Sequence, residues 1–448
     1  MRTAVVKILL VVGLICYSQS SQAALSDIKD FYLENGLHVV VIPNHKAPIV
    51  KQVVLYKAGR VDEPRGKGGI AHLLEHLMFR GTKKFKDGEF NRLIETNGGI
   101  SNAATSHDKT YYHEFLSADR LELAMYLEAD RMDEMSFNDE IFAKEREVVF
   151  QERKERQSVN TTRDFWEKVD KIFWKDSLYG EPIGGTTVEI REITKQDVLD
   201  FYQKFYGPNN AVLILSGDID FETAHELAQK YYGKISVRET GEKGKIEDVD
   251  NREYRHGQYM ITTERDDLNI SRISARYFLP HFKSNEAFLY AMIVFADYIG
   301  NSISSPLYKK LRLDTHLATA VGADFDYFRR GNGTFNFYAY FKNPEDAAKI
   351  QNTFLNTLAE ALNKMTEKDL ALTKKRLLAG LVYINDNPSD VAEIVTDWLG
   401  AGYNLEDLKN YEANLKKVTL QEVKALAATL NEYHPLWAVA VPVQEAKQ

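Results

Sequence analysis

The stretch "GGIAHLLEHLMFRGT", Gly68 to Thr82, places two histidines and a glutamate inside an apolar helical pattern. Leucine and methionine at positions 73, 74, 77 and 78 predict that this segment packs inside the protein. Polar side chains are costly there unless each finds a partner. One bound cation would satisfy His72, Glu75 and His76 together, whereas a structural role would require three separate partners.

The spacing within this helix predicts separate tasks for the three residues. His72 and His76 are one turn apart and point the same way, so both imidazoles can bind one ion. Glu75 lies on the flank of that face, where it can accept a hydrogen bond from water without binding the metal. A catalytic zinc site takes three protein ligands and water, so a third ligand must come from elsewhere in the chain.

The richest source of that ligand is the helical stretch "NDEIFAKEREVVFQERKER", residues 138–156. Glu145 and Glu152 are two turns apart and share one face, and either can supply a carboxylate. The spacing alone does not choose between them. A glutamate-rich helix is also typical of a solvated surface.

The first residues predict an exported protein. Arg2 and Lys7 precede the short apolar run 8–15, and the small residues that follow suit cleavage after about Ala23. We therefore interpret residues 1–23 as a signal peptide and expect a periplasmic or secreted protein. The run is too short to span a bilayer, so no stable membrane anchor is expected.

The cysteine content and the net charge limit which metal ligands and which binding partners are expected. The single cysteine, Cys16, lies in the predicted signal peptide, so a metal site in the mature chain must use histidine and carboxylate. The formal net charge of −8 becomes −10 when Arg2 and Lys7 are removed. So acidic a chain is not expected to bind nucleic acid.

The chain contains signs of an internal duplication. The segments beginning at Ile193 and Val418 each place a threonine three residues before an acid, Thr194 with Asp197 and Thr419 with Glu422, and then lead into a β-branched strand. This pairing is typical of a capping box at a helix start. The second segment follows the first by half the chain, which predicts two similar α+β halves.

The charged stretch "RETGEKGKIEDVDNREYRHGQ", residues 238–258, is predicted to link the halves. The first domain would then cover 24–237 and the second 259–448. When the histidine helix is shifted by the offset that separates Thr194 from Thr419, it falls on text without a histidine pair. Only the first half is therefore expected to bind metal.

Local patterns predict individual elements. Strands are expected at 37–43, 49–59 and 110–116, and a strand pair is expected within 324–341. Long helices are expected from 118 to about 132 and from 138 beyond 157. The stretch "TNGGISNAATSHD", residues 96–108, is predicted to be a loop, and His107 and His113 are interpreted as structural.

The His-x-x-Glu-His order is the inverzincin motif, and its surroundings, "GRVDEPRGKGGIAHLLEHLMFRGT", closely resemble the pitrilysin family of zinc peptidases, particularly the mitochondrial processing peptidase type. The segments "GGISNAATSHDKTYYHE", "EREVVFQE" and "FYGPNNAVLILSGDID" extend the resemblance. It implies two similar domains, each a mostly antiparallel sheet packed with helices, that form a clam-like pair with a metal-free, substrate-binding second domain.

The resemblance also implies roles for particular residues. His72, His76 and Glu152 would bind one zinc ion per chain, Glu75 would be the general base, and Glu145 an assisting acid. Asn102, Ala103 and Ala104 would lie on an edge strand that receives the substrate as an added strand.

One departure from the family pattern concerns the second half. Family members commonly place an arginine, and seven residues later a tyrosine, to hold substrate at the zinc. This sequence has Arg312 but Thr319 in the tyrosine position. In two-subunit members one protein carries zinc and the other the arginine and tyrosine, so the resemblance implies a homodimer or a heterodimer with a related non-zinc subunit.

The sequence therefore predicts an exported zinc metalloendopeptidase, acting alone or with a partner subunit on oligopeptides or unfolded polypeptide segments. Water activated by zinc would attack the peptide bond, with Glu75 as general base. The rival interpretations are a non-catalytic structural subunit of a peptidase-like complex and a zinc-binding carrier.

Overall fold

The structure is a computed structural model that describes residues 24–159, 161–239, 260–266, 268–279 and 285–443. The predicted signal peptide, residues 1–23, lies outside the described residues. Residues 240–258 of the predicted linker also lie outside the described residues. Within the described part of the chain, no helix combines the length and apolarity needed to cross a membrane.

The first half builds a six-stranded sheet. Its strands, in spatial order, are β1 (Lys29–Tyr32), β2 (His38–Pro43), β6 (Ala211–Gly217), β3 (Ile49–Tyr56), β5 (Thr110–Ser117) and β4 (Ile100–Thr105). Strands β2 and β6 run parallel, and every other neighbouring pair is antiparallel. Strand β4 therefore lies at one edge of the sheet.

The second half repeats this arrangement with five described strands. Their spatial order is β7 (Met260–Arg265), β11 (Leu436–Pro442), β8 (Ser271–Phe278), β10 (Thr334–Phe341) and β9 (Ala320–Asp326). Strands β7 and β11 run parallel and the other pairs antiparallel, which matches β2, β6, β3, β5 and β4 position by position. The predicted pair of similar α+β halves is confirmed.

Helices pack on both sheets. In the first half they are α1 (Ile70–Leu77), α2 (Glu89–Thr96), α3 (Leu121–Glu134), α4 (Asp139–Val159), α5 (Thr161–Trp174), α6 (Thr187–Glu192), α7 (Lys195–Phe205) and α8 (Phe221–Tyr231). In the second half they are α9 (Glu286–Gly300), a π-helical segment (Tyr308–Asp314), α10 (Ala347–Lys364), α11 (Glu367–Asp386), α12 (Pro388–Gly400), α13 (Leu405–Lys409), α14 (Tyr411–Lys417) and α15 (Leu420–Glu432).

Each half lends one helix to the sheet of the other. Helix α5 packs on the second sheet, where the ring centroid of Trp174 lies 5.6 Å from that of Phe278. Helix α12 packs on β3 and β6 of the first sheet. Apolar side chains of both halves are therefore buried together, so the hydrophobic effect joins the halves.

The predicted capping boxes are present. The hydroxyl of Thr194 accepts a hydrogen bond from the amide of Asp197, and the Asp197 carboxylate accepts one from the amide of Thr194. Thr419 and Glu422 make the same pair of bonds at the start of α15. A cap of this kind stabilises a helix by about 1 kcal/mol, which explains why the pattern is recognisable at both positions.

The predicted loop at 96–108 is wrong, because β4 occupies its middle. Residues Ile100 to Thr105 pair antiparallel with β5, from Ile100 opposite Phe115 to Thr105 opposite Thr110. Serine, asparagine and alanine carry little intrinsic strand preference. The strand forms because β5 offers it an unpaired backbone edge.

Candidate active site

The helix that carries the histidine pair is fixed at its first turn by a buried acid. One carboxylate oxygen of Glu63 accepts from the amide of Gly69 at 2.8 Å, and the other from the amide of Ala71 at 2.7 Å. Arg60 donates to the same carboxylate at 3.0 Å. A hydrogen-bond acceptor at a helix N-terminus satisfies amides that lack partners within the helix. The predicted apolar face of α1 lies in the core.

Three side chains converge opposite α1. The Nε2 atoms of His72 and His76 each lie 3.7 Å from Oε2 of Glu152. One ligand atom from each of the three residues lies within 4.8 Å of the other two, and the described residues contain no other group of three or more metal-ligating side chains so close together. Helix α4 supplies the acid and α1 the imidazoles, so the packing of these two helices creates the cluster.

The cluster suits zinc in both geometry and donor chemistry. Tetrahedral bonds of about 2.1 Å hold neighbouring ligand atoms about 3.4 Å apart, close to the 3.7 Å that separates Oε2 of Glu152 from each Nε2. Burial, together with the charges of His76 and Arg156, lowers the pKa of His72 to about 3. The imidazole is therefore neutral, as a ligand must be. Nδ1 of His72 is buried and makes no hydrogen bond within the described chain.

The structure separates the two glutamates that spacing left equivalent. Glu152 directs Oε2 at both imidazoles, while its Oε1 accepts a hydrogen bond from Arg156. Glu145 is almost fully buried, with Oε2 lying 3.5 Å from Nδ1 of His76 and Oε1 lying 3.0 Å from Nε of Arg80. Glu145 thus faces the nitrogen of His76 that points away from the cluster.

Glu75 lies on the same helix but contacts a different element. Its Oε2 accepts a hydrogen bond of 2.5 Å from the hydroxyl of Thr105, the last residue of β4. Burial raises the pKa of Glu75, and the Thr105 hydrogen bond opposes that rise. The carboxylate is therefore close to the histidine pair in sequence, yet it is oriented by the edge strand.

The residues expected on an edge strand do lie on one. Asn102, Ala103 and Ala104 belong to β4, whose only described neighbour in the sheet is β5. The backbone groups of β4 that face away from β5 are available for a further strand. His113 pairs with Asn102 across the sheet, and His107 donates a hydrogen bond from Nε2 to the carbonyl of Glu181.

Arg312 lies apart from these contacts. It is exposed on the π-helical segment, with its guanidinium 5.1 Å from the ring of Tyr308. Thr319 donates from its amide and its hydroxyl to the carbonyl of Tyr340. Among the described residues, no hydrogen bond or ion pair joins Arg312 or Thr319 to the histidine cluster.

The second half has an ion pair where the first half has the cluster. The offset that relates Thr194 to Thr419 leads from His72 to Asp297 on α9. Arg376 on α11 donates from Nε to Oδ2 of Asp297 at 2.8 Å. Helices α9 and α11 correspond to α1 and α4 in chain order. A charge pair thus joins α9 and α11, whereas the His72, His76 and Glu152 cluster lies between α1 and α4.

Several contacts around the cluster were not predicted from the sequence. They involve Glu63, Arg80, Thr105 and Arg156. Arg156 follows Glu152 by four residues, a spacing that favours contact on a helix and offered a usable signal. Glu63 and Arg80 flank α1 in the sequence but carry no spacing signal of this kind, and only the fold brings Thr105, at the end of β4, to α1.

The fold and the cluster have known counterparts. The model of the insulinase family, peptidase family M16, matches residues 38–187, and a model described as the M16 inactive domain matches 192–377. A Rickettsia bellii protein described as an uncharacterized zinc protease is 30% identical over 351 residues, covering 77% of this chain and 81% of that protein. This chain belongs to the M16 family of zinc peptidases.

Other M16 relatives span nearly the full length. A Helicobacter pylori protein described as zinc protease PqqE is 27% identical over 420 residues, covering 93% of this chain and 92% of its own. The crystal structure of a protease from Helicobacter pylori superimposes with a TM-score of 0.82 at 26% identity, covering 93% of this chain and 99% of that one. The expected family and its two-domain fold are confirmed. The region matched by the M16 inactive-domain model includes the Asp297–Arg376 pair.

Proposed function

We propose that this M16 chain is an exported zinc metalloendopeptidase. The convergence of His72 Nε2, His76 Nε2 and Glu152 Oε2 is the observation that carries the proposal. Two imidazoles and one carboxylate form a three-ligand set that leaves a fourth position for water, as catalytic zinc sites do. The same helix holds Glu75 beside this set.

The chain's own residues would then perform the proton transfers. A zinc ion, when bound, supplies a Lewis acid that polarises a carbonyl group and makes water more acidic. Glu75 takes a proton from water as the water oxygen bonds to the scissile carbon. The same carboxylate returns the proton to the amide nitrogen as the carbon–nitrogen bond breaks. No covalent bond forms between substrate and protein.

Residues around the ligands would hold them in place. Arg156 binds the outward oxygen of Glu152, which leaves the inward oxygen for the metal. Glu145 lies beside Nδ1 of His76 and is paired with Arg80, so it favours the tautomer of His76 in which Nε2 is free to bind metal. We therefore assign Glu145 an assisting role, and His72, His76 and Glu152 the metal.

The substrate would be an extended chain. Asn102, Ala103 and Ala104 present an open backbone edge, which can pair with a peptide whatever its side chains. Pairing of this kind requires free main chain, which favours oligopeptides or unfolded segments over folded proteins. Arg312 would contact substrate from the second half. Because Thr319 replaces a tyrosine at the expected position, we propose that a second subunit, identical or related, completes the site.

Substitution of the proposed base tests this function. With zinc retained at about one per chain, Glu75→Gln should lose at least about a hundredfold of the turnover of quenched-fluorescence peptides, because general base catalysis contributes that much. The exposed Glu95 on α2 provides a matched control, and Glu95→Gln should cleave at the wild-type rate.

The outcomes separate the alternatives. A wild-type protein that binds zinc but cleaves nothing, alone or with a co-purified partner, is a carrier or a structural subunit. Cleavage by Glu75→Gln at the wild-type rate removes Glu75 from the mechanism. The processed N-terminus of the exported protein, determined by mass spectrometry, checks the signal peptide at residues 1–23.

A further inference from the structure

The contact between Thr105 and Glu75 links two parts of the site that have different tasks. Thr105 ends β4, the strand proposed to capture substrate, and its hydroxyl lies 2.5 Å from Oε2 of Glu75 on α1. The carboxylate has no hydrogen on either oxygen when ionised, so the threonine hydroxyl donates. One side chain therefore connects the edge strand with the proposed base.

Backbone hydrogen bonds within the first half hold the turn that follows Thr105. The amide of Arg60 donates to the carbonyl of Ser106 at 3.1 Å, and the amide of Val61 to the carbonyl of His107 at 2.9 Å. Gly59 packs so tightly here that a Cβ atom would lie 2.5 Å from the Ser106 carbonyl oxygen. Little room remains for the turn to shift.

Residues of the second half bond to the same turn. Arg330 donates to Asp108 at 3.0 Å and to Asp62 at 2.6 Å, and both acids are nearly buried. Lys109 pairs with Asp397 of α12 at 2.5 Å. Buried charged hydrogen bonds are strong and directional. The end of β4 is therefore positioned jointly by the two halves.

We propose that Thr105 is a positioning residue for peptide hydrolysis. Its hydroxyl holds Oε2 of Glu75 so that Oε1 is the oxygen that receives the proton from water. This inference rests on the proposed peptidase function. A glutamate side chain has several rotatable bonds, and a fixed partner restricts it to one orientation before substrate arrives. Within the described chain, the Thr105 hydroxyl bonds to Glu75 and makes no hydrogen bond to His72, His76 or Glu152.

Removal of the hydroxyl should affect turnover and leave binding unchanged. Thr105→Val should lower kcat about tenfold, which corresponds to one lost interaction in the transition state, with KM changed by less than about twofold. Thr105→Ser keeps the donor and should recover kcat to within about threefold of wild type. The control is Thr96→Val on α2, whose hydroxyl bonds to the carbonyl of Arg92, and it should leave kcat unchanged.

Two measurements independent of turnover check the assignment. Thr105→Val should bind zinc as tightly as wild type in competition with a chelator. In the Glu75→Gln background it should bind an uncleaved peptide with unchanged affinity. A loss of either affinity would show that Thr105 acts on the metal or on the substrate, and would overturn the proposal.

A double-mutant cycle gives the sharpest test. Glu75→Asp shortens the base beyond the reach of Thr105, so Thr105→Val should cause no further loss of kcat in that background. Additive losses would overturn the proposal, as would a wild-type kcat for Thr105→Val. Thr105→Ala serves as the second variant if Thr105→Val unfolds on thermal melting. If the wild-type protein cleaves no peptide, either alone or with a co-purified partner, the proposed function fails as well.

Discussion

At the scale of single residues, Glu145 and Glu152 show how different surroundings give two chemically identical side chains different contacts. Both lie on one face of α4, two turns apart, and the sequence could not choose between them. The choice follows from where α1 crosses α4. Glu152 meets both Nε2 atoms, whereas Glu145 meets only the outer nitrogen of His76. Spacing along one helix cannot encode the position of a second helix.

This division predicts unequal effects on metal binding. Glu152→Gln removes a proposed ligand and should weaken zinc binding by more than the about 10–100-fold that is typical for loss of an outer partner. Glu145→Gln removes only such a partner and should stay within that range. Chelator competition measures both affinities, with the exposed Glu140 of α4 as the control site for Glu140→Gln. A larger loss for Glu145→Gln would contradict the assignment.

At the scale of secondary-structure elements, the sequence predicted the helices whose own residues form a recognisable local pattern. The capping boxes of α7 and α15 and the apolar face of α1 are local patterns, and the structure confirms them. Strand β4 has no such signal, because its short polar and alanine residues are typical of loops and only its pairing with β5 makes it a strand. Neither the hydrophobic pattern of a segment nor its strand propensity indicates which edge of a sheet is left unpaired.

Helices α9 and α11 also permit a test at this scale. Arg376→Met leaves the nearly buried Asp297 without its guanidinium, and should destabilise the second half by about 1–3 kcal/mol. Asp297→Leu combined with Arg376→Met should cost less than the single change, because no charge is left buried. Thermal unfolding of the zinc-free protein measures both variants. Zinc content should not change in either.

The ion pair has no structural importance if Arg376→Met melts at the wild-type temperature. A loss of zinc in that variant would show instead that the second half supports the metal cluster directly.

At the scale of the whole molecule, the two halves depend on one another. The exchange of α5 and α12 buries apolar side chains of each half against the sheet of the other. The duplication could be recognised because one helix–strand signal, at Thr194, recurs at Thr419. The exchange of α5 and α12 could not be recognised from the sequence. Dividing a sequence into consecutive domain ranges does not show that a helix of one half packs on the sheet of the other. The boundaries 24–237 and 259–448 therefore remain a prediction.

The account as a whole depends on one zinc ion held by residues of the first half. The most direct measurement is anomalous diffraction at the zinc absorption edge from crystals of the purified protein. We expect one peak per chain, bonded at about 2.0–2.2 Å to Nε2 of His72, Nε2 of His76 and a carboxylate oxygen of Glu152. A peak bonded to other residues, or no peak in crystals of a preparation that cleaves peptides at full rate, would contradict the account.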